Sequence, residues 1–355
     1  MHPPAPPATT TASRPAAIDN RPVFDPTVIG FSEAYYVIWT DPEAQRSMVV
    51  RYVLFNGPVE DHRIAEVWCW YRDRLRGDDI AIRQRYPLKS ATIAASGFDL
   101  RIGAGSGITD ERAWGVVEDA GRVVAWDFHM PAPAATGVDR LRGASGSVLF
   151  PRFYSTGCRR TLDARVRVDG AEIVARGVAA TDGHYWNTHH LRTWSWANGV
   201  RFRGAPDAFL EAIAFRLHSD DAPMAVSLTL GDGGWIWQND MLESLYLNRE
   251  LETQLERWKV SAGFGGRRVE AEVGGDPDDM ILITHPLPDG SFLYTTITLE
   301  ARIRVVVHDE GPGGGTRVLE SEGGASFEVT KPVRNGRVRR EFRIVAAPSH
   351  LLSSR

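Results

Sequence analysis

Short runs of alternating apolar and polar residues, broken at close intervals by glycine, proline, asparagine and aspartate, constrain this chain more than any other feature. Ser47–Phe55 and Arg122–Phe128 are rich in β-branched and aromatic residues. Ala164–Val168 and Glu172–Arg176 alternate on either side of Asp169-Gly170, the signature of a hairpin closed by a tight turn. Met224–Leu230, Arg268–Val273, Met280–Thr284, Ile303–His308 and Ala325–Thr330 repeat the pattern. Side chains two apart share one face of a strand, so each run presents one apolar face to a core. Many such runs with little helical periodicity between them predict an all-β sandwich or barrel. The 34 glycines and 21 prolines suit the turns that this requires. Ala65–Leu75 reads as a strand because Val67, Cys69 and Tyr71 alternate. Asn248–Trp258 fits a helical turn or a strand equally well.

At 355 residues the chain is long enough for two domains. We expect two antiparallel β-barrels in tandem, with few short helices and a seam near 183–204. The expected divisions are a disordered leader at 1–22, a first barrel at 23–190 and a second at 191–350. The leader is Pro, Ala and Thr with little to bury. A net charge of −4 with interspersed signs gives no electrostatic footprint for nucleic acid. Of the 41 basic residues only Lys89, Lys259 and Lys331 are lysines, a bias read as genomic composition. No window is apolar enough for a membrane helix, and the N-terminus lacks the pattern of a secretory signal. Two cysteines, Cys69 and Cys158, cannot build a disulfide framework. The expected location is the cytoplasm.

Tryptophan placement carries the functional signal. Trp68/Trp70, Trp194/Trp196 and Trp235/Trp237 are pairs two apart, and each sets two indoles side by side on one strand face. Such pairs either fill a core or wall a cavity that holds a hydrophobic ligand. Indole faces also stabilise cations. The second signal is Thr181–His190, with His184, His189 and His190 in a short span. Their spacing does not suit a zinc site, and no metal is expected. The segment reads either as an acid/base cluster, with Asp182 orienting His184 from the same strand face, or as a polar seam between domains. Glu33, Asp127 and Asp240 also sit among aromatics. Desolvation there would raise a carboxyl pKa and make a proton donor. Asp127, between Trp126 and Phe128, should face solvent. Gly103–Gly107 is glycine-rich but lacks the strand and helix of a nucleotide loop. No nucleotide, serine-hydrolase or zinc-protease motif is present.

Two stretches together carry a resemblance. Gly30–Tyr36 followed by Thr40–Tyr52 resembles the opening hairpin of the AttH-like/carotenoid 1,2-hydratase/tocopherol cyclase superfamily, an acidic-aromatic strand, an Asp-Pro turn and an apolar strand containing arginine. Gly183–His190 with Trp194-Ser195-Trp196 is similar to that group's central segment. Ile281–Ile297, with Pro288-Asp289-Gly290, fits later hairpins. The resemblance implies tandem lipocalin-like (calycin) barrels and cofactor-free hydration or cyclisation of isoprenoids or polyenes. It carries over Glu33, Tyr35, His184, Trp186, Trp194, Trp196 and Asn198 as site residues. Carotenoid hydratases of the group tend to place an acid beside the central histidine, where this chain has Tyr185-Trp186-Asn187 and a displaced Asp182.

The expected site follows. Asp182 or Glu33 supplies the acid, and His184 or His189 is its partner. Tyr35, Trp186, Trp194, Trp196, Asn198, Trp235 and Trp237 line a cavity for a hydrophobic small molecule. The alternative is a non-catalytic lipid or terpenoid carrier using the same cavity. No cofactor is expected.

Overall fold

The computed structural model describes residues 12–13, 20–131, 138–139, 152–187, 191–217, 225–232, 235–239, 241–286, 291–311, 313–321 and 324–352. The chain is all-β, with 65% strand and 6% helix among the described residues. Among the described residues no helix is long and apolar enough to cross a membrane. Pairing among the described residues runs as three sheets of 13, eight and five strands. All the ladders among the described residues are antiparallel except one, where Arg343–Ala346 returns to pair in parallel with Ile82–Arg85.

The largest sheet curls around a first core that includes Val37, Trp39, Met48, Tyr52, Trp126 and Phe128. Inside it the Trp126 indole donates to the Tyr52 hydroxyl at 2.9 Å, which in turn donates to the Trp114 carbonyl at 2.9 Å. The expected hairpin is present, with strands far longer than its sequence core. Arg152–Val168 and Ala171–Asn187 are joined at Asp169 (φ 49°) and Gly170 (φ 88°), the left-handed pair that suits the twist of a hairpin. The smaller sheets enclose a second core around Ala197, Leu228, Trp258, Val269, Val305 and Phe327. Asn248–Trp258 resolves as strand, because Arg249–Thr253 pairs with Arg257–Gly263. In the leader, Ala12 and Ser13 pair with Trp237 and Ile236 at the edge of the eight-stranded sheet.

The alternation rule is followed at Asp127, which is exposed and bridges Arg112 while Trp126 and Phe128 are buried. It fails in the middle of the first sheet. Ser32–Asp41, Arg46–Asn56 and Arg63–Asp73 are buried on both faces. Their inner residues belong to the first core. Their outer residues, among them Tyr36, Val53, Trp68 and Trp70, pack on Trp196, Ile213, Phe215 and Ile283 of the eight-stranded sheet. A third apolar layer thus joins the two halves, and polar residues in these strands have no solvent face to point to. Cys69 is a buried free thiol.

Candidate functional site

The polar residues of the doubly buried strands fall into two groups, one on each face. On the inner face, Ser32–Asp41 pairs with Ala171–Asn187 so that Tyr35 lies opposite His184 and Glu33 opposite Trp186. His184 Nε2 is 2.7 Å from Glu33 Oε1, and both side chains are fully buried. The Tyr35 hydroxyl donates to the same oxygen at 3.0 Å, as does the Val23 amide at 2.9 Å. The His184 ring stacks on Tyr35 with centroids 4.0 Å apart, and Phe98 covers Tyr35's other side at 4.6 Å. Trp186 and Tyr154 flank the imidazole.

Asp182 does not serve as the orienting carboxylate expected of it. Arg160 ion-pairs with Asp182 and also donates to the carbonyls of Asp110, Met130 and Pro131. The carboxylate on His184 is Glu33, reached across the ladder. Glu33 is the diagonal neighbour of His184, two residues from its direct partner Tyr35, and lies within reach of a long side chain. Irregular pairing at Tyr154/Gly157 and Gly157/Arg160 brings the Arg160 guanidinium to Asp182.

On the outer face, a cavity of about 220 Å³ lies in the cleft between the first sheet and the eight-stranded sheet. Tyr36, Trp68, Phe153, Tyr185, Trp194, Trp196, Ile213 and Leu293 form its walls. Two carboxylates set into the walls hold one arginine and an indole in one case and two arginines and an indole in the other. Glu328 accepts from Arg51 Nη2 at 2.5 Å and from Trp194 Nε1 at 2.7 Å. Glu66 accepts from Arg83 Nε at 2.7 Å, Arg85 Nε at 3.0 Å and Trp68 Nε1 at 2.9 Å. The Arg51 and Arg83 guanidinium groups also lie 5.5 and 4.4 Å from the Trp68 ring, within cation–π range. His285 stands between Trp68 and Trp194, 6.0 Å from each, with Nε2 3.0 Å from Thr295 Oγ1.

These contacts decide the ionisation of the cleft. Burial pushes the Glu66 carboxyl up, but the charges and hydrogen bonds of Arg83, Arg85 and Trp68 outweigh it and hold it below the ordinary value. Glu66 is therefore an anion at neutral pH and not a proton donor. Burial raises the Tyr185 phenol, despite the opposing charge of Arg51, so the hydroxyl stays neutral. The cleft combines aromatic walls with guanidinium groups and a neutral phenol, which suits stabilising negative charge on a bound oxygen.

The expected site residues therefore separate. Glu33, Tyr35, His184 and Trp186 line the inner side of the Ser32–Asp41 strand, whereas Trp194 and Trp196 line the cleft on its outer side. Asn198 shares the face of Trp196 but bonds Glu211 Oε2 at 2.5 Å, while the Trp196 indole bonds Glu211 Oε1 at 2.5 Å. Asn198 thus helps to hold the clamp behind Trp196. Trp237 packs on the second core beneath the Arg267 guanidinium, 4.5 Å from its ring, and does not share the cleft. His189, His190 and Asp240 lie outside the described residues, as does the Trp235 side chain. The sequence reading missed Arg51, Glu66, Arg83, Glu211 and Glu328. Four of them share a signal, a lone charge inside an apolar β run, as in Val50-Arg51-Tyr52 and Phe327-Glu328-Val329, whereas Arg83 lies in the polar run Arg83-Gln84-Arg85 and carries no such signal.

Gly183 couples the two faces. A Cβ there would lie 2.2 Å from Tyr36 Cζ, so the Tyr36 ring occupies the space that glycine leaves open. Tyr36 packs edge-on against Trp196, with centroids 5.6 Å apart. Gly183→Ala is expected to cost about 1–3 kcal/mol through overpacking. It should also displace the Tyr36 ring and change the indole fluorescence. Chemical denaturation of the variant checks the first, and an unchanged emission spectrum with unchanged stability would contradict both.

No family model matches the sequence, and no curated protein matches it either. Solved structures do match in fold. A candidate AttH from Nitrosomonas europaea superposes with a TM-score of 0.53 at 14% identity, covering 86% of this chain and 94% of the other. The chain has the AttH-like fold. Kievitone hydratase from Nectria haematococca matches this chain with a TM-score of 0.52 at 12% identity, over 88% of it and 91% of the hydratase. CghA, in its complex with Sch210972, matches with a TM-score of 0.50 at 10% identity, over 92% of this chain and 97% of CghA.

Proposed function

We propose that this AttH-like chain is an enzyme of hydratase or cyclase type. Its substrate is a hydrophobic isoprenoid or polyene, bound in the cleft between two lipocalin-like units at 23–190 and 191–350. One observation carries the reading: Arg51 and Arg83, each ion-paired and stacked on Trp68, stand in the wall of a cavity lined mainly by aromatic and aliphatic side chains. That arrangement favours a substrate with a carbonyl or enol oxygen at one end of its apolar body. Hydrogen bonds from guanidinium or phenol groups to that oxygen withdraw electron density from a conjugated chain. They stabilise the oxyanion that develops as water adds or a ring closes, and apolar walls strengthen the effect by excluding water. Protonation of an isolated alkene fits less well, because Glu66 is held ionised. The names of kievitone hydratase and of the CghA complex, with their shared fold, support a small-molecule substrate.

The test uses paired polyenes, identical except that one ends in a ketone and the other in a methylene. The purified protein should convert the ketone, followed by loss of polyene absorbance and by chromatography. Ile213→Trp, which fills the cleft from the second sheet, should abolish conversion. Turnover that persists in Ile213→Trp would overturn the assignment to the cleft. Saturable binding of both polyenes without turnover would establish the carrier alternative instead.

A further inference from the structure

We infer, on the reading of the cleft as the active site, that His285 is its catalytic proton carrier and that the reaction is addition of water to a conjugated ketone rather than a ring closure without proton transfer. His285 lines the cleft near the end of the strand Ile281–Pro286, half-buried between Trp68 and Trp194. Arg83, one of the two guanidinium groups that would hold the substrate oxygen, donates from Nη1 to the Thr284 carbonyl at 3.1 Å. That bond crosses from the first sheet to the eight-stranded sheet and grips the residue next to His285. The oxygen-binding group and the imidazole are therefore fixed relative to each other. Other charged groups of the lining suit proton transfer less. Arg51, Arg83 and Arg85 stay charged. Glu66 is held ionised and the Tyr185 phenol is held neutral. Both Glu328 oxygens are engaged, Oε1 by Trp194 and Oε2 by Arg51. Asp61 and His62 are exposed at the rim. An imidazole both takes and gives a proton near neutral pH.

The support behind the imidazole fits a ring that changes protonation. His285 Nε2 is 3.0 Å from Thr295 Oγ1, which is 2.5 Å from Thr330 Oγ1. Both threonines are fully buried. Thr295 lies directly opposite Thr330 on one side and Ile283 on the other, which sets it diagonal to His285. A hydroxyl both donates and accepts, and it rotates to suit. Thr295 can accept from a protonated Nε2 and donate to a bare one, so the ring keeps its place in both states. Thr295 and Thr330 are positioning residues. In the reaction, water attacks the β-carbon of the enone and passes one proton to the imidazole as its C–O bond forms. The C=C electron pair moves to leave an enolate, whose oxygen Arg51 or Arg83 holds. The imidazolium then returns the proton to the α-carbon as the carbonyl re-forms. Water is the only co-reactant, and the imidazole ends as it began. The flanking indole faces stabilise the transient imidazolium.

The experiment gives the polyene ketone to the full chain in oxygen-18 water. Wild-type product should carry the label in a new hydroxyl group. His285→Ala should lower turnover at least about 100-fold. Quenching of tryptophan fluorescence should show that the ketone still binds this variant within about threefold of the wild-type affinity. Free imidazole should restore turnover to His285→Ala in a saturable way. Thr295→Val, nearly the same shape without the hydroxyl, should lower kcat with little change in KM, and Thr295→Ser should recover it. Wild-type rates in His285→Ala would overturn the role of His285 and leave the cleft as the active site. Loss of turnover that imidazole does not restore would make His285 a wall residue and overturn the role as well. Should His285→Ala fail to fold, the threonine variants decide, and equal kcat in Thr295→Val and Thr295→Ser would count against the role. A cyclised product without label would overturn the addition of water. No conversion of the ketone by the wild type would overturn both this proposal and the reading of the cleft on which it rests.

Discussion

Glu328→Leu is expected to destabilise the chain by about 3–5 kcal/mol, because it leaves the Arg51 guanidinium buried without its counter-charge. Arg51 and Glu328 are only 10% and 7% exposed, so water cannot replace the lost partner. The Trp194 indole loses its acceptor in the same substitution. Removing both charges should behave differently. Arg51→Met combined with Glu328→Leu replaces the pair by apolar groups in a layer that is already apolar, and should recover most of the loss. Chemical denaturation of the two single variants and the double gives the coupling directly. Additive losses would show that the pair contributes no mutual stabilisation and that its neighbours alone hold the cleft wall.

The second large effect belongs to Glu66 and depends on pH. Glu66→Ala at pH 7 should also cost about 3–5 kcal/mol, since Arg83 is 7% exposed and loses its charged partner. The folded-state pKa of Glu66 lies below its ordinary value of 4.5. A depressed carboxyl contributes stability that is fully present above the unfolded value and is lost as pH falls through the folded value. The wild-type advantage over Glu66→Ala should therefore hold from neutral pH to about 4.5 and shrink below it. Stability curves of the two proteins that stay parallel down to acid unfolding would contradict this ionisation. They would reopen Glu66 as a proton donor for the cleft, which the present geometry disfavours.

Both predictions concern residues that sequence reading passed over, and the reason is specific. Arg51 and Glu328 are 277 positions apart. Each reads locally as an outward charge on an amphipathic strand. They meet because the outer face of the first sheet is covered by the second, a fact of packing that no window of sequence contains. The error over Asp182 has the same origin. Within one strand, spacing correctly put Asp182 and His184 on one face, but the partner of each was chosen across the ladder, by Arg160 and by Glu33. The tryptophan pairs were informative in part. Trp194 and Trp196 do wall a cavity, whereas Trp237 packs on a core and Trp70 is fully buried between the sheets.

What the sequence determined by itself was the all-β class, most strand positions, the Asp169-Gly170 turn and the outward aspect of Asp127. These follow from side-chain alternation and turn chemistry, which act over a few residues. The family resemblance named Glu33, Tyr35 and His184 among seven expected site residues, without saying which of the seven meet. Only the tertiary structure decided which faces are buried twice, which carboxylate serves which base, and that the imidazole and the paired indoles stand on opposite sides of one strand. Those outcomes depend on sheet-to-sheet packing and on register between strands far apart in the chain. There the cost of burying a charge selects its partner from across the fold rather than from its neighbours in sequence.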